Sequence, residues 1–152
     1  MPDWFVSRFS LVGLVAVVFQ QIPGIIWAIR PPKVDPFAEN SGTLVVEILE
    51  KTFGVATILL LVVVIAGRPL HPSWSTVFLV GAFAVLATYY GFYVAYYLNV
   101  TSLRVLLGMA ACPPLCFLLV SMYQGNYPAL VSSVIFGTVH IGLTHTNFAP
   151  RH

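Results

Sequence analysis

Long apolar stretches alternate with short polar interruptions along this chain, and five of the stretches are long enough for membrane-crossing helices. An α-helix needs about 20 mainly apolar residues to cross a hydrocarbon core of about 30 Å. The apolar runs are continuous and lack the alternation that is typical of membrane strands. The pattern predicts an all-α fold, a polytopic transmembrane helical bundle of about five spans, in a single transmembrane domain over residues 1–152. The predicted spans cover residues 9–29, 44–66, 75–98, 103–122 and 127–143.

Residues that end helices separate these spans. The segments Arg30–Pro32, Gly67–Pro69 and Gln124–Asn126 interrupt the apolar pattern, and Asn99 does so between the third and fourth spans. The first span is longer than the core of a signal peptide and lacks a small-residue cleavage pattern, so we expect it to remain in the mature protein. The fifth predicted span is the shortest, and a re-entrant segment is the alternative for it.

The composition indicates what surrounds these helices. Hydrophobic residues make up 59% of the 152 residues and charged residues 8%, whereas a soluble domain carries about 25% charged residues. So few charges cannot cover a surface that faces water, and the expected surroundings are a lipid bilayer. The net charge of +2 is too small, and the seven Lys and Arg residues are too scattered, to indicate a nucleic-acid partner.

The basic residues predict an orientation in the membrane. In a five-span bundle, five of the seven basic residues fall on one side and two on the other. The positive-inside rule then places the N-terminus outside and the C-terminus in the cytoplasm. The larger group contains Arg30, Lys33, Lys51, Arg104 and Arg151, and the smaller group contains Arg8 and Arg68.

Small residues gather on one face of the third span. Such residues let membrane helices approach closely, which favours association in the absence of a hydrophobic driving force. The fourth span carries a matching stripe, and we predict that these two spans pack closely together through their small residues. The stripe of the third span contains Ala84, Ala87, Thr88, Gly91 and Ala95, and that of the fourth contains Gly108, Cys112 and Cys116.

Five tyrosines gather on the opposite face of the third span. One interpretation is that these tyrosines anchor the helix at the membrane interface and pack in the core of the bundle. It suits Tyr96 and Tyr97, which lie at the helix end. Tyr89, Tyr90 and Tyr93 lie nearer the middle of the span, where a hydroxyl needs a hydrogen-bond partner. The alternative prediction for these three is an aromatic-walled cavity that binds a ligand.

Gln20 and Gln21 are polar residues inside the first span, shortly before Pro23. A proline at that position frees a backbone carbonyl and kinks the helix. Hydrogen bonding between helices is one role for the two glutamines. The other is that they line the same ligand cavity as the tyrosines.

Glu47 and Glu50 lie near the start of the second span. In one interpretation they belong to a solvated first turn, in which Glu47 pairs with Lys51. However, the uncharged stretch Thr52–Ala66 would rise only about 22 Å, which is shorter than a hydrocarbon core of about 30 Å. In the other interpretation the carboxylates are therefore drawn below the headgroups, where an ionisable group is a candidate catalytic residue. Glu47, Glu50, Gly54 and Thr57 share one face of the predicted helix.

No metal site or cofactor is predicted from the cysteines and histidines. Cys112 and Cys116 flank two prolines and a leucine, which is not the spacing of thiol oxidoreductases, and small apolar packing is their expected role. His140 and His145 are five residues apart, whereas helical metal ligands require a spacing of three or four. His140, near the end of the last span, is instead a candidate for a bond to a neighbouring helix.

Two short segments resemble small multi-pass proteins of unknown activity that are predicted in bacterial genomes. One is Asn40 followed by the LVVEILEK segment at 44–51, and the other is the FGTVHI segment at 136–141. The resemblance covers parts of two spans and implies a bacterial inner membrane, but it implies no activity.

Three functions fit these features. The leading hypothesis is an accessory, immunity or assembly-type protein that acts through helix contacts with a membrane-protein partner or in a homo-oligomer. The second is a membrane-embedded enzyme for a lipidic or isoprenoid substrate, in which Glu47 or Glu50 is the general acid or base. In its carboxylates and aromatic residues this second arrangement resembles the small integral-membrane terpene cyclases. The third hypothesis is a small proton-coupled transporter.

Overall fold

The computed structural model describes residues 7–31, 43–65 and 74–148, and within them it confirms an all-α bundle of five helices. Four of the helices, α1, α3, α4 and α5, are long and apolar enough to cross a membrane. The protein is therefore a small multi-pass membrane protein. In chain order the elements are β1 (Ser7–Phe9), α1 (Leu11–Ile29), α2 (Leu44–Val62), β2 (Val63–Ile65), α3 (Ser75–Tyr97), α4 (Leu103–Gln124) and α5 (Tyr127–Phe148).

Helix α2 is not among these four candidate membrane-crossing helices, and it carries three charged residues, Glu47, Glu50 and Lys51. It begins where the sequence predicts but ends at Val62 rather than at residue 66. The chain leaves the helix there because residues 63–65 form a short antiparallel pair with β1, in which Phe9 lies opposite Val63. Residue 66 lies outside the described residues.

Helix α5 is longer than predicted. It continues beyond Leu143 to Phe148 and, with 22 residues, matches α4 in length. An uninterrupted helix of this length suits a complete crossing rather than a re-entrant segment. The histidines and threonines of its last turns interrupt the apolar pattern, which is why the sequence indicates an earlier end.

Helices α3 and α4 make the most extensive contact in the bundle, as expected from the short link between them. Gly108 gives the Phe92 ring of α3 its place at this contact, because a Cβ atom there would clash with the ring in its present position. The buried thiol of Cys116 lies 3.7 Å from the backbone carbonyl oxygen of Ala82, and Cys112 is also buried. The small residues of α4 therefore do face α3.

The small-residue face of α3 points away from α4, contrary to the prediction. Ala87 and Gly91 are exposed, and a Cβ atom on Gly91 would meet nothing within 4 Å. Ala95 is only half-buried. The tyrosine face is turned inward instead, because large aromatic side chains fill the bundle and their hydroxyls need partners that hydrocarbon cannot provide. The buried residues of α3 are Ala82, Leu86, Tyr89 and Tyr96.

Hydrogen bonds tie four helices together at the end of the bundle where α1 begins. The Gln124 amide nitrogen donates to Ser10 Oγ at 2.8 Å and to the Leu61 carbonyl at 3.1 Å. The Asn126 side chain donates to the Leu60 carbonyl at 2.6 Å and accepts from a backbone N–H in the first turn of α5. Gly13 permits the close crossing of α1 and α2, since a Cβ atom there would lie 1.9 Å from the Leu61 carbonyl oxygen.

Candidate ligand-binding site

A carboxylate–histidine pair joins α2 to α5. Oε1 of Glu50 and Nδ1 of His140 are in hydrogen-bonding contact, and their side chains are only 22% and 28% exposed. The Phe136 ring stacks on the imidazole with centroids 5.1 Å apart and an angle of 24° between the rings. A hydrogen bond on one edge and a stacked ring on one face therefore fix the orientation of His140.

The face of α2 that carries Glu50 lies along α5. Gly54 lies close to Phe136, where an added Cβ atom would be 3.3 Å from the ring. One turn further, Thr57 Oγ1 donates to Ser132 Oγ at 2.8 Å. Both hydroxyls also lie within hydrogen-bonding distance of the Phe53 carbonyl oxygen, at 2.7 and 3.2 Å. We call this row of contacts, from the Glu50–His140 pair to the Thr57–Ser132 pair, the polar seam.

His140 also lines a partly open cavity of about 260 Å³ between α1, α3, α4 and α5, which we call the central cavity. With the Glu50 carboxylate as acceptor, Nδ1 of a neutral imidazole carries the hydrogen and Nε2 is left as an acceptor. No atom of the described residues forms a hydrogen bond with Nε2. Within the described part of the chain, Nε2 is thus the ring nitrogen left to accept a further hydrogen bond. The cavity is lined by Trp27, Tyr89, Tyr93, Tyr96, Leu106, Met109, Ala110, Pro113, His140 and Thr144.

Tyrosines of α3 form the aromatic wall of the central cavity. The rings of Tyr89 and Tyr93 pack edge to face with centroids 5.1 Å apart, and Tyr96 packs against Tyr93 in the same way at 6.4 Å. Tyr89 and Tyr96 are buried. Three side chains at successive turns therefore present aromatic rings to the same space as His140.

Tyr90 and Tyr97 have a different role, because their hydroxyls bind the backbone of α1. Tyr90 donates to the Phe19 carbonyl at 2.8 Å, and Tyr97 donates to the Arg30 carbonyl at 3.1 Å. Pro23 lacks the N–H that would normally bond the Phe19 carbonyl, and the Tyr90 hydroxyl satisfies it instead. The carbonyl that the proline frees is thus bonded by a tyrosine and not by a glutamine.

Gln20 and Trp27 carry buried polar atoms without hydrogen-bond partners, but only Trp27 is among the residues that line the central cavity. Gln20 is 3% exposed, and neither its amide nitrogen nor its amide oxygen forms a hydrogen bond; the same holds for the Trp27 indole nitrogen. The Gln20 amide lies near the Tyr89 hydroxyl but does not meet the geometry of a hydrogen bond. Burying a polar group in an apolar interior without a hydrogen bond is costly, so these atoms are candidates for contact with a polar ligand or a water molecule. Gln21, by contrast, is exposed on the other side of α1.

Two consecutive prolines in α4 add acceptors beside the central cavity. Pro113 and Pro114 cannot donate to the carbonyls four residues earlier, which belong to Met109 and Ala110. Both of those residues line the cavity. On its other side Pro114 packs against Gly137 of α5, where an added Cβ atom would be 2.9 Å away.

Glu47 is separate from this site. Its Oε2 lies 3.9 Å from Lys51 Nζ, which agrees with the interpretation that Glu47 pairs with Lys51 in the first turn of α2. The Lys51 side chain is 76% exposed. The two carboxylates of α2 therefore have different surroundings, with Glu50 facing α5 and Glu47 beside a solvent-accessible lysine. Among the described residues, no three Cys, His, Asp or Glu side chains are close enough to hold a metal ion.

The contact between His140 and Glu50 is not evident from the sequence. The two residues are 90 positions apart, and helix order alone decides whether they meet. A usable signal was nevertheless present. On α5, positions 132, 136 and 140 are four residues apart and therefore share one helix face. On α2, positions 50, 54 and 57 are four and three residues apart and also share one face.

Comparison of the chain with protein-family models, curated proteins and solved structures found no match. The functional assignment therefore rests on the geometry of the site.

Proposed function

We propose that the central cavity binds the polar end of an amphiphilic, lipid-like molecule and that His140, oriented by Glu50, exchanges a proton with it. The observation that supports this most directly is the position of His140, which is bonded to Glu50 on one edge and borders the cavity. The rings of Tyr89, Tyr93 and Trp27 would then enclose the bound group.

The chemistry is that of a general acid–base pair. Nε2 of His140 accepts a proton from a hydroxyl of the ligand, and the imidazolium that forms is stabilised by the Glu50 carboxylate. This set of groups fits an enzyme that acts on a lipidic or isoprenoid substrate, with His140 as the proton acceptor and Glu50 as its positioning residue.

Two matched carboxylate variants test this proposal. Glu50→Gln removes the charge beside His140, whereas Glu47→Gln removes a charge on the same helix outside the site. The protein would be purified in lipid nanodiscs and incubated with a bacterial lipid extract, and bound and altered lipids would be identified by mass spectrometry. We expect the wild type and Glu47→Gln to retain or alter a lipid that Glu50→Gln and His140→Ala do not. Equal behaviour of all four proteins would refute the proposal.

The same variants distinguish an enzyme from a proton-coupled transporter. A transporter would carry protons across the membrane of proteoliposomes that contain a pH-sensitive dye. Glu50→Gln would abolish this proton flux, and the wild type would produce no altered lipid. An enzyme would give an altered lipid and no flux.

A second candidate function is the accessory or assembly-type role, and the outward small-residue face of α3 favours it. Ala87 and Gly91 give this face room for the close approach of another membrane helix. Gly91→Leu would block such an approach. Gly142→Leu is a matched control, because Gly142 is also an exposed helical glycine with nothing within 4 Å of its Cβ position. Loss of a co-purifying partner or of oligomers in Gly91→Leu alone would support this role.

A further inference from the structure

One face of α1 is turned away from the bundle and carries a polar side chain. Gln21 is exposed, and its amide forms no hydrogen bond with any atom of the described residues. Of the five described helices, α1 also makes the least contact with the rest of the bundle. In a single copy of the protein the Gln21 amide therefore faces the surrounding lipid.

The depth of Gln21 in the membrane makes this exposure costly. At a rise of about 1.5 Å per residue, Gln21 lies about 15 Å from the start of α1 at Leu11 and about 12 Å from its end at Ile29. In a hydrocarbon core of about 30 Å this position is close to the middle of the bilayer. A glutamine side chain is too short to carry its amide from there to the headgroups, and an amide without a hydrogen bond is unfavourable in hydrocarbon.

The residues around Gln21 have the spacing of a seam between two helices. They lie alternately three and four positions apart along α1 and share one face, as the a and d positions of a coiled coil do. All of them except Gln21 are apolar, and a single polar residue at such a position fixes the register of paired helices. We call this row the outer stripe of α1, and it consists of Leu11, Leu14, Val18, Gln21, Ile25 and Ala28.

We infer that the outer stripe pairs with the outer stripe of a second copy of this chain, with the two Gln21 amides hydrogen-bonded to each other. A second copy in the same orientation has the same amide at the same depth, and a twofold axis between the two helices brings the two side chains together. A carboxamide suits such a pair because it has both donors and an acceptor. Packing alone gives little drive in lipid, so the amide pair selects this face. This inference does not depend on the proposed function.

Two adjacent isoleucines provide a matched test of the face. Ile25 belongs to the outer stripe and is 54% exposed, whereas Ile26 lies about 100° further around the helix and is 47% exposed. Each would be replaced by cysteine, and the protein in liposomes would be treated with an oxidant. The native Cys112 and Cys116 are buried and do not reach a second copy. We expect a disulfide-linked dimer in Ile25→Cys and a severalfold lower yield in Ile26→Cys.

The amide is tested separately through the dissociation constant of the dimer, measured by energy transfer between fluorescently labelled copies in liposomes of increasing lipid content. Gln21→Leu should raise this constant about 3-fold to 30-fold, the range for loss of a hydrogen bond between membrane helices. The new leucine faces lipid, so the fold of the single copy stays intact. Gln21→Asn keeps a carboxamide and should weaken the dimer less than Gln21→Leu does.

Several results would overturn the inference. A wild type that stays monomeric at every lipid content would show that the outer stripe has no second copy as its partner. Equal disulfide yields in Ile25→Cys and Ile26→Cys would show that another face forms the contact. Equal dissociation constants for the wild type and Gln21→Leu would show that the amides are not paired. Loss of the dimer in Gly91→Leu but not in Gln21→Leu would place the contact on the small-residue face of α3.

Discussion

The contact between α2 and α5 and the contact between α1 and α3 are built in opposite ways. The polar seam bonds α2 to α5 at successive turns, and the hydroxyls of Thr57 and Ser132 both lie within hydrogen-bonding distance of the Phe53 carbonyl oxygen. Helix α1 is bonded to α3 through Tyr90 and Tyr97, and an apolar groove separates the two helices beyond Tyr90. Apolar contact gives little net drive between helices in lipid, so the number and redundancy of polar contacts decide which interface is firm.

This difference suits the proposed function. The firm interface carries Glu50 and His140, whose relative position must be exact for proton transfer. Helix α1 is also held at its N-terminal end, where the Gln124 side-chain amide donates to Ser10 Oγ.

The largest predicted effect is at that anchored end of α1. Gly13→Ala places a methyl group against the Leu61 carbonyl oxygen and forces α1 away from α2. We expect a loss of about 2–3 kcal/mol in the free energy of unfolding. The measurement is unfolding in mixed micelles followed by circular dichroism.

Gly24→Ala is the matched control for this prediction, because a Cβ atom at Gly24 on the same helix meets nothing within 4 Å. Its stability should stay within about 1 kcal/mol of the wild type, the range of helix propensity alone. Equal losses in the two variants would show that the crossing of α1 and α2 is not close.

The next effect is at the bond between α1 and α3. Tyr90→Phe keeps the ring but leaves the Phe19 carbonyl without the donor that replaces the missing N–H of Pro23. We expect a loss of about 1–2 kcal/mol, the cost of leaving an acceptor without a hydrogen bond in an apolar environment. Tyr127→Phe, at an exposed position at the start of α5, should change little in the same unfolding assay. An unchanged Tyr90→Phe would mean that the freed carbonyl finds another donor.

The sequence predicts the existence and starts of the helices better than their ends and faces. The starts at 44, 75, 103 and 127 agree with the structure, because a capping residue or a break in the apolar pattern precedes each of them. The end of α2 differs because a tertiary contact, the β1–β2 pair, decides it. The end of α5 differs because polar residues in its last turns interrupt the apolar pattern although the helix continues.

The inward face of α3 could not be read from the sequence, since a membrane helix is apolar all round and both of its faces are plausible interfaces. The contact of Glu50 with His140 also required the order of the helices. Local pattern is sufficient for the elements, whereas the site depends on which elements become neighbours.

The smallest predicted effect is within the polar seam and tests its redundancy directly. Thr57→Val removes the hydroxyl that donates to Ser132, but Ser132 Oγ can still bond the Phe53 carbonyl. A double-mutant cycle of Thr57→Val and Ser132→Ala should therefore give a coupling of only about 0.6 kcal/mol, the average for such bonds in membrane proteins. Thr138→Val, whose hydroxyl bonds only within α5, is the control and should show no coupling to Thr57. If the coupling between Thr57 and Ser132 exceeded the unfolding free energy lost in Tyr90→Phe, the α2–α5 contact would no longer be the redundant one. A single hydrogen bond would then hold the polar seam. The firmness of the α2–α5 contact would depend on Thr57 and Ser132 instead of being distributed over successive turns.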